Sequence, residues 1–303
     1  DPINQLYFFS IPFLGLLTLL FLFQPIPTIT PASGFSAADD GTALRTAMKG
    51  FGTDEQAIID ILTQRSNSQR QQISKFFTEE YGRDLNEDLK SELGGHFEDV
   101  IIALMHPPVD YLCKQLHKAM KGMGTDEHTL VEILCSRSNK EIKEIVDAYE
   151  RLYDRPLAEH MCSETSGDFR RLLTLIVVGV RNDYAVDPVR AKELAEQLYA
   201  AGRTIEQALE AELSGELLEA MLAIVECVQS PPAFFAKRLK KAMEGFGTDD
   251  TTLIRIIVSR SEYDLGNIKQ EFERIYDKTL ESAVKSETSG DYKQALVALI
   301  GGP

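Results

Sequence analysis

Apolar residues recur at three- and four-residue intervals along most of the chain, and no stretch alternates with the period of two expected of a half-buried strand. Between residues 37 and 109 the pattern predicts five helices. Thr42–Lys49 is the first. Thr53 opens a second as its N-cap, with Gln56 placed to complete a capping box and Ile58, Ile59, Ile61 and Leu62 forming one stripe. A third runs from Ser68 through Ile73, Phe76 and Phe77 to Tyr81-Gly82. Asp84 caps a fourth through Leu93, and Phe97–Met105 is a fifth that Pro107-Pro108 stops.

The same order returns in residues 110–180, with apolar segments at Leu130–Leu134, Ile142–Tyr149, Leu157–Met161 and Phe169–Val178, and again in 233–303. In that last unit Phe235, Leu239 and Met243 make one face of the first helix apolar, while Lys237, Lys240 and Lys241 make the other basic. The chain is therefore expected to be all-α, an array of similar units. Residues 181–232 form a shorter unit. Val189–Ala201, Ile205–Leu213 and Leu217–Val228 match the first, fourth and fifth helices, so this unit is expected to lack its loop and about two helices, about thirty residues in all. Neighbouring helices would then expose apolar faces there.

Residues 1–36 stand apart. The uncharged apolar run 6–23 is long enough for a membrane span or a signal-peptide core, but Pro12, Gly15 and the lack of a preceding basic residue fit either poorly. An extension foreign to the folded body, or a packed tail, are the other readings. Gln24–Ser36, with Pro25, Pro27, Pro31 and Gly34, reads as a linker.

Where one helix ends and the next begins, the units share a motif: Met48-Lys49-Gly50-Phe51-Gly52-Thr53-Asp54, Met120-Lys121-Gly122-Met123-Gly124-Thr125-Asp126 and Met243-Glu244-Gly245-Phe246-Gly247-Thr248-Asp249. Forty-two residues beyond the first glycine of each stands an acid: Glu92, Glu164 and Glu287. Glycine tolerates the positive φ angles of a sharply turned loop, and such a loop presents carbonyl oxygens. With one carboxylate alongside, the result is an oxygen-only site that favours calcium over zinc or copper. The assignment is Met48, Gly50 and Gly52 with Glu92; Met120, Gly122 and Gly124 with Glu164; Met243, Gly245 and Gly247 with Glu287. Taken singly, each Gly-x-Gly is also what a helix C-cap followed by an N-cap would show, so the pattern alone leaves both readings open. Glu212 occupies the position of the acid in the short unit, without a loop.

A formal net charge of −15 disfavours nucleic acid as a partner, and contact with an acidic membrane would need a cation between the two surfaces. Cys113, Cys135, Cys162 and Cys227 sit singly in helical patterns, as buried thiols in a reducing compartment would. The five histidines show no metal spacing, and no nucleophile-elbow, P-loop, zinc or dinucleotide signature supports an enzyme.

The three loops, the pairs Arg65-Ser66, Arg137-Ser138 and Arg260-Ser261, and the segments Ser163-Glu164-Thr165-Ser166-Gly167-Asp168 and Ser286-Glu287-Thr288-Ser289-Gly290-Asp291 closely resemble the annexin repeat, from about Ala37 to the C-terminus. The resemblance implies five-helix repeats packed into a curved disc, with calcium loops on the convex face that bind acidic phospholipid of the phosphatidylserine type at the cytoplasmic face of membranes. It places the calcium ligands on the three sets above, with Thr53 and Glu55 in a weaker secondary site, and gives Arg65, Arg137 and Arg260 a structural role in ion pairs between helices. The short third unit, the apolar leader and Glu244 in place of lysine depart from the family pattern. A calcium-modulated interaction scaffold and a damaged variant without function are the alternatives.

Overall fold

The computed structural model describes residues 24–50, 52–179, 187–200, 202–245 and 247–301; the apolar run 6–23 and the loop residues Phe51 and Phe246 lie outside them. Among the described residues there are eighteen α-helices and no strand, and no helix is long and apolar enough to cross a membrane.

Unit 1 holds α1 (Ala37–Ala47), α2 (Glu55–Leu62), α3 (Asn67–Tyr81), α4 (Leu85–Glu92) and α5 (Gly95–Met105). Unit 2 holds α6 (Pro108–Ala119), α7 (Glu127–Cys135), α8 (Asn139–Tyr153), α9 (Leu157–Glu164) and α10 (Gly167–Val178). Unit 4 holds α14 (Pro231–Ala242), α15 (Asp250–Ser261), α16 (Leu265–Tyr276), α17 (Leu280–Glu287) and α18 (Gly290–Gly301). Many of the starts are set by side-chain caps. Ser36 accepts from Asp39 N and begins α1 five residues before the apolar pattern does. Ser66 and Ser138 form full capping boxes with Gln69 and Glu141. Pro108 sits at the first position of α6, where its missing N–H is harmless.

Unit 3 contributes α11 (Pro188–Ala200), α12 (Ile205–Glu212) and α13 (Gly215–Gln229), three helices among the described residues against five in each other unit. Its core is thin: α12 buries no residue, and α13 buries only Ala220 and Ala223. Leu175 and Val178 of α10, Val189 and Leu194 of α11, Ile205 and Val228 are exposed.

Helices α2 and α5 of unit 1 pack against α15 and α18 of unit 4, and α7 and α10 of unit 2 pack against α13 of unit 3. The two pairs are joined where α15 meets unit 2. There Arg255 Nε and Nη2 donate to the two carboxylate oxygens of Glu132 at 2.7 and 2.9 Å, with both side chains buried.

Gln24–Ser36 is no free linker. Thr28 N, Ile29 N and Thr28 Oγ1 all donate to the carbonyl of Ser261 (2.8, 3.0 and 3.2 Å), Gly266 N donates to Ile26 O (2.8 Å), and Gln69 holds the Ala32 backbone from unit 1 through two bonds of 2.9 Å. Ile29 is buried. The prolines hold an extended backbone that pairs with elements far away in sequence, so this segment straps unit 4 to unit 1. An added Cβ at Gly266 would fall 2.6 Å from Ile26 Cγ2 and 2.7 Å from Ile26 O. Gly266→Ala is therefore expected to lower stability by about 1–2 kcal/mol despite the better helix propensity of alanine. Thermal unfolding would show the loss, and limited proteolysis would show earlier cleavage within residues 24–36.

Candidate functional site

Each of the three loops is closed by the same hydrogen bond. The N–H of Asp54, Asp126 and Asp249 donates to the carbonyl of Ala47, Ala119 and Ala242 at 2.9, 2.8 and 2.8 Å. The aspartate side chain then caps the next helix, accepting from Ala57, Thr129 and Thr252 N. The N-cap is thus the aspartate and not the threonine before it, and Gln56 donates to Asp60 instead of completing a box. Once the aspartate N–H turns back to close the loop, its own side chain is the acceptor in reach of the first helical turn.

Between these fixed ends the chain needs glycine twice. Gly50 and Gly52 have φ of 120° and 94°, Gly122 and Gly124 of 124° and 95°, and Gly245 and Gly247 of 95° and 92°. A Cβ would meet nothing at any of the six, so backbone conformation and not crowding sets the requirement. Met48, Met120 and Met243 anchor the loops by burying their side chains, while Gly50, Gly52, Gly122, Gly124, Gly245 and Gly247 lie exposed. Among the described residues, no donor claims the carbonyls of these six glycines or of Met48 and Met243, so these oxygens are available to a hard cation. Met120 differs, because its backbone faces the His160 imidazole; burial opposes the protonated ring, and this contact favours it. That imidazole in turn contacts Tyr149 Oη at 2.7 Å, and Tyr149 Oη lies 3.2 Å from His117 Nδ1.

The acids arrive by a second recurring device. Glu92, Glu164 and Glu287 are the last residues of α4, α9 and α17; each helix ends in an extended residue, and Gly95, Gly167 and Gly290 then turn the chain at φ near 60°. In unit 1, Thr53 Oγ1 donates to Glu92 Oε2 at 3.0 Å, which sets the carboxylate against the loop. In unit 2, Thr125 Oγ1 reaches the backbone oxygen of Glu164 at 2.9 Å, and Ser163 Oγ donates to its carboxylate. In unit 4 the described residues show no bond from Thr248 to Glu287; the tie is Tyr292 Oη donating to Asp250 at 2.8 Å, from α18 to the start of α15. Glu55 lines a cleft of about 370 Å³ with Glu92 and His96 of unit 1 and Asp291 and Tyr292 of unit 4. No group of three or more His, Cys, Asp or Glu side chains gathers to hold a metal among the described residues, so any ion here relies on backbone oxygen.

Of the arginines, Arg65 forms a fork with Asp40 on α1 at 2.6 and 3.0 Å, a pair between elements. Arg260 forks onto Asp264, the N-cap of α16, at 2.7 and 2.6 Å. Arg137 lies 3.7 Å from Glu141; burial first, and then Arg260, lower its guanidinium to about 10. All four cysteines are free thiols, Cys113 and Cys135 buried and the other two half-buried. Glu244, in the lysine position of the fourth loop, pairs with Lys240 at 3.2 Å.

The annexin family model matches residues 39–104, 111–176 and 234–299, leaving the short unit unmatched. Annexin B10 of Drosophila melanogaster is 59% identical, covering 92% of this chain and 99% of its own length in an alignment of 317 positions. The solved structure of annexin III superposes with a TM-score of 0.88 at 41% identity, covering 91% of this chain and 97% of that one. The calcium-bound structure of annexin (Sm)1 does so with 0.82 at 34%, covering 92% and 94%. Three loops of one construction, the helical units that present them and this likeness over nearly the whole chain lead to one conclusion: the chain belongs to the annexin family.

Proposed function

We propose that this chain binds acidic phospholipid membranes reversibly and only with calcium, through three loop sites and without catalytic chemistry. The observation that carries the reading is the triple recurrence of a closed loop and of glycines at positive φ with unclaimed carbonyls, beside a helix ending in glutamate. Met48, Gly50, Gly52 and Glu92 would hold one ion through three carbonyls and a carboxylate; Met120, Gly122, Gly124 and Glu164 the second; Met243, Gly245, Gly247 and Glu287 the third. Calcium takes six to eight oxygen ligands, so each set leaves positions for water or a lipid phosphate oxygen. Such sites are weak singly, and three on one rigid body give avidity. Met123, between the glycines of the second loop, is a fully exposed large apolar side chain, suited to the interfacial region of a bilayer.

The third unit takes no part in this reading, since its described residues form three helices and carry no loop of this construction. The alignment with annexin B10 supports the gap, because it runs to more positions than this chain has residues. The setting that fits is the cytoplasmic face of membranes, where anionic lipid is concentrated.

The test is sedimentation of the full chain with phosphatidylserine-containing vesicles. Pelleting in millimolar calcium and release by chelator are expected. A folded chain that stays in the supernatant at millimolar calcium overturns the assignment, and chelator-resistant pelleting would favour the scaffold, for which the exposed apolar residues of unit 3 are the supporting observation.

A further inference from the structure

A cleft of about 180 Å³ lies where unit 1, unit 2 and unit 4 meet. Glu98, Asp99 and Ile102 of α5 line one side, Tyr111, Lys114, Gln115 and Lys118 of α6 another, and Thr251 and Ile254 of α15 a third, with His106 at the turn between α5 and α6. Lys114 is half-buried in this cleft and makes no ion pair among the described residues, whereas Lys75, Lys90, Lys237, Lys240 and Lys285 all pair with carboxylates. Its neighbour is an imidazole: Nζ stands 3.0 Å from His106 Nε2 and 3.4 Å from Nδ1. The His106 backbone is held in place by Asn67 Nδ2, which donates to its carbonyl at 2.7 Å.

We propose that Lys114 is a site of covalent N-acylation by small activated acyl donors that enter this cleft, with His106 as the proton acceptor. The neutral amine attacks the acyl carbon; the N–C bond forms as the bond from carbon to the leaving oxygen breaks, and the phosphate or alcoholate departs with the electron pair. The proton lost by Nζ passes to His106 Nε2 and then to water. Two features of the surroundings agree with the geometry. Burial first, and then Lys90, lower Lys114 from the ordinary lysine range, while Asp110 opposes them only in part. Burial first, then Lys114 and Lys90, bring His106 down to about 4, so it is a neutral acceptor at physiological pH.

The test treats the full, folded chain at pH 8 with a limiting amount of acetyl phosphate, and separately with p-nitrophenyl acetate, and measures initial acetylation at every lysine by peptide mass spectrometry. Lys114 is expected to react faster than the median lysine, by about threefold or more, with at least one donor, since a lowered pKa enlarges the neutral fraction. Its rate should level off at lower pH than those of the surface lysines. The preference should vanish in urea and shrink in His106→Gln, with circular dichroism checking that the variant is folded. A Lys114 rate at or below the median with both donors overturns the proposal, as does a preference that survives urea or is unchanged in the folded His106→Gln chain. If that variant does not fold, the pH profile of the unaltered chain decides: a Lys114 rate that rises in parallel with the surface lysines overturns it.

Discussion

A chain carrying Glu92→Gln, Glu164→Gln and Glu287→Gln together is expected to remain in the supernatant at calcium concentrations that sediment the parent with acidic vesicles. Each substitution removes the one charged ligand assigned to a site whose other ligands are backbone carbonyls, and calcium affinity follows the count of ligand charges. A loss of about tenfold per site is the modest expectation, and because attachment is multivalent the three losses compound instead of averaging. The fold should not notice. Glu92 and Glu287 are exposed and Glu164 half-buried, so each change belongs to the class of surface substitutions within about 0.5 kcal/mol. The amide oxygen can still accept from Thr53 Oγ1, which keeps the loop of unit 1 in register with α4. Unit 2 offers an internal control, since Thr125 grips the backbone of Glu164 and not its carboxylate, so that loop is held equally well in parent and variant. Midpoints from calcium titrations of vesicle sedimentation, for the single and triple variants, check the expectation. Unchanged midpoints in the triple variant would remove these carboxylates from the site.

Much of this arrangement is legible in the sequence because it is local and repeated. Two glycines one residue apart after an apolar segment, an acid at constant distance and a 3.6-residue period survive any uncertainty about a single helix end. What is hidden depends on partners distant in the chain. Thr53 and Asp54 are both good caps, and the choice falls to Asp54 only because its N–H closes onto Ala47, seven residues back. The proline-rich stretch before Ser36 has the composition of a loop, yet its N–H groups converge on the carbonyl of Ser261, more than 230 residues away. The short third unit reads in the sequence as missing spacing, and beside it Leu175 and Val178 of α10 and Val189 and Leu194 of α11 stand exposed. Glu132 gives no signal at all. It lies inside the apolar segment Leu130–Leu134 as a lone acid, with its counter-charge 123 residues further on in the corresponding helix of unit 4.

That hidden pair carries the largest expected effect on stability. Glu132→Ala should cost about 3–5 kcal/mol, because it leaves the Arg255 guanidinium buried without its carboxylate. Burial by itself drives Arg255 down, and Glu132 more than offsets it, so the guanidinium ends above its ordinary range. Removing the acid leaves the first influence unopposed. The remaining polar partner is Thr252 Oγ1, at 3.0 Å from Nη2, and one neutral hydroxyl satisfies one of five donors. The position of the pair sharpens the expectation. It joins α7 to α15, the seam between the unit 1–unit 4 and unit 2–unit 3 pairs, so the variant should loosen that seam before either pair melts, and unfolding should broaden or split into two transitions. Replacing both partners, with Glu132→Leu and Arg255→Met, removes the orphaned charge and should return stability to within about 1–2 kcal/mol of the parent, since a buried ion pair and an apolar pair of similar volume are nearly equivalent. Denaturant titration of the two singles and the double closes the cycle. A Glu132→Ala cost below about 1 kcal/mol would mean that water reaches Arg255 easily, and that the seam is held by the apolar contacts around it and not by this pair.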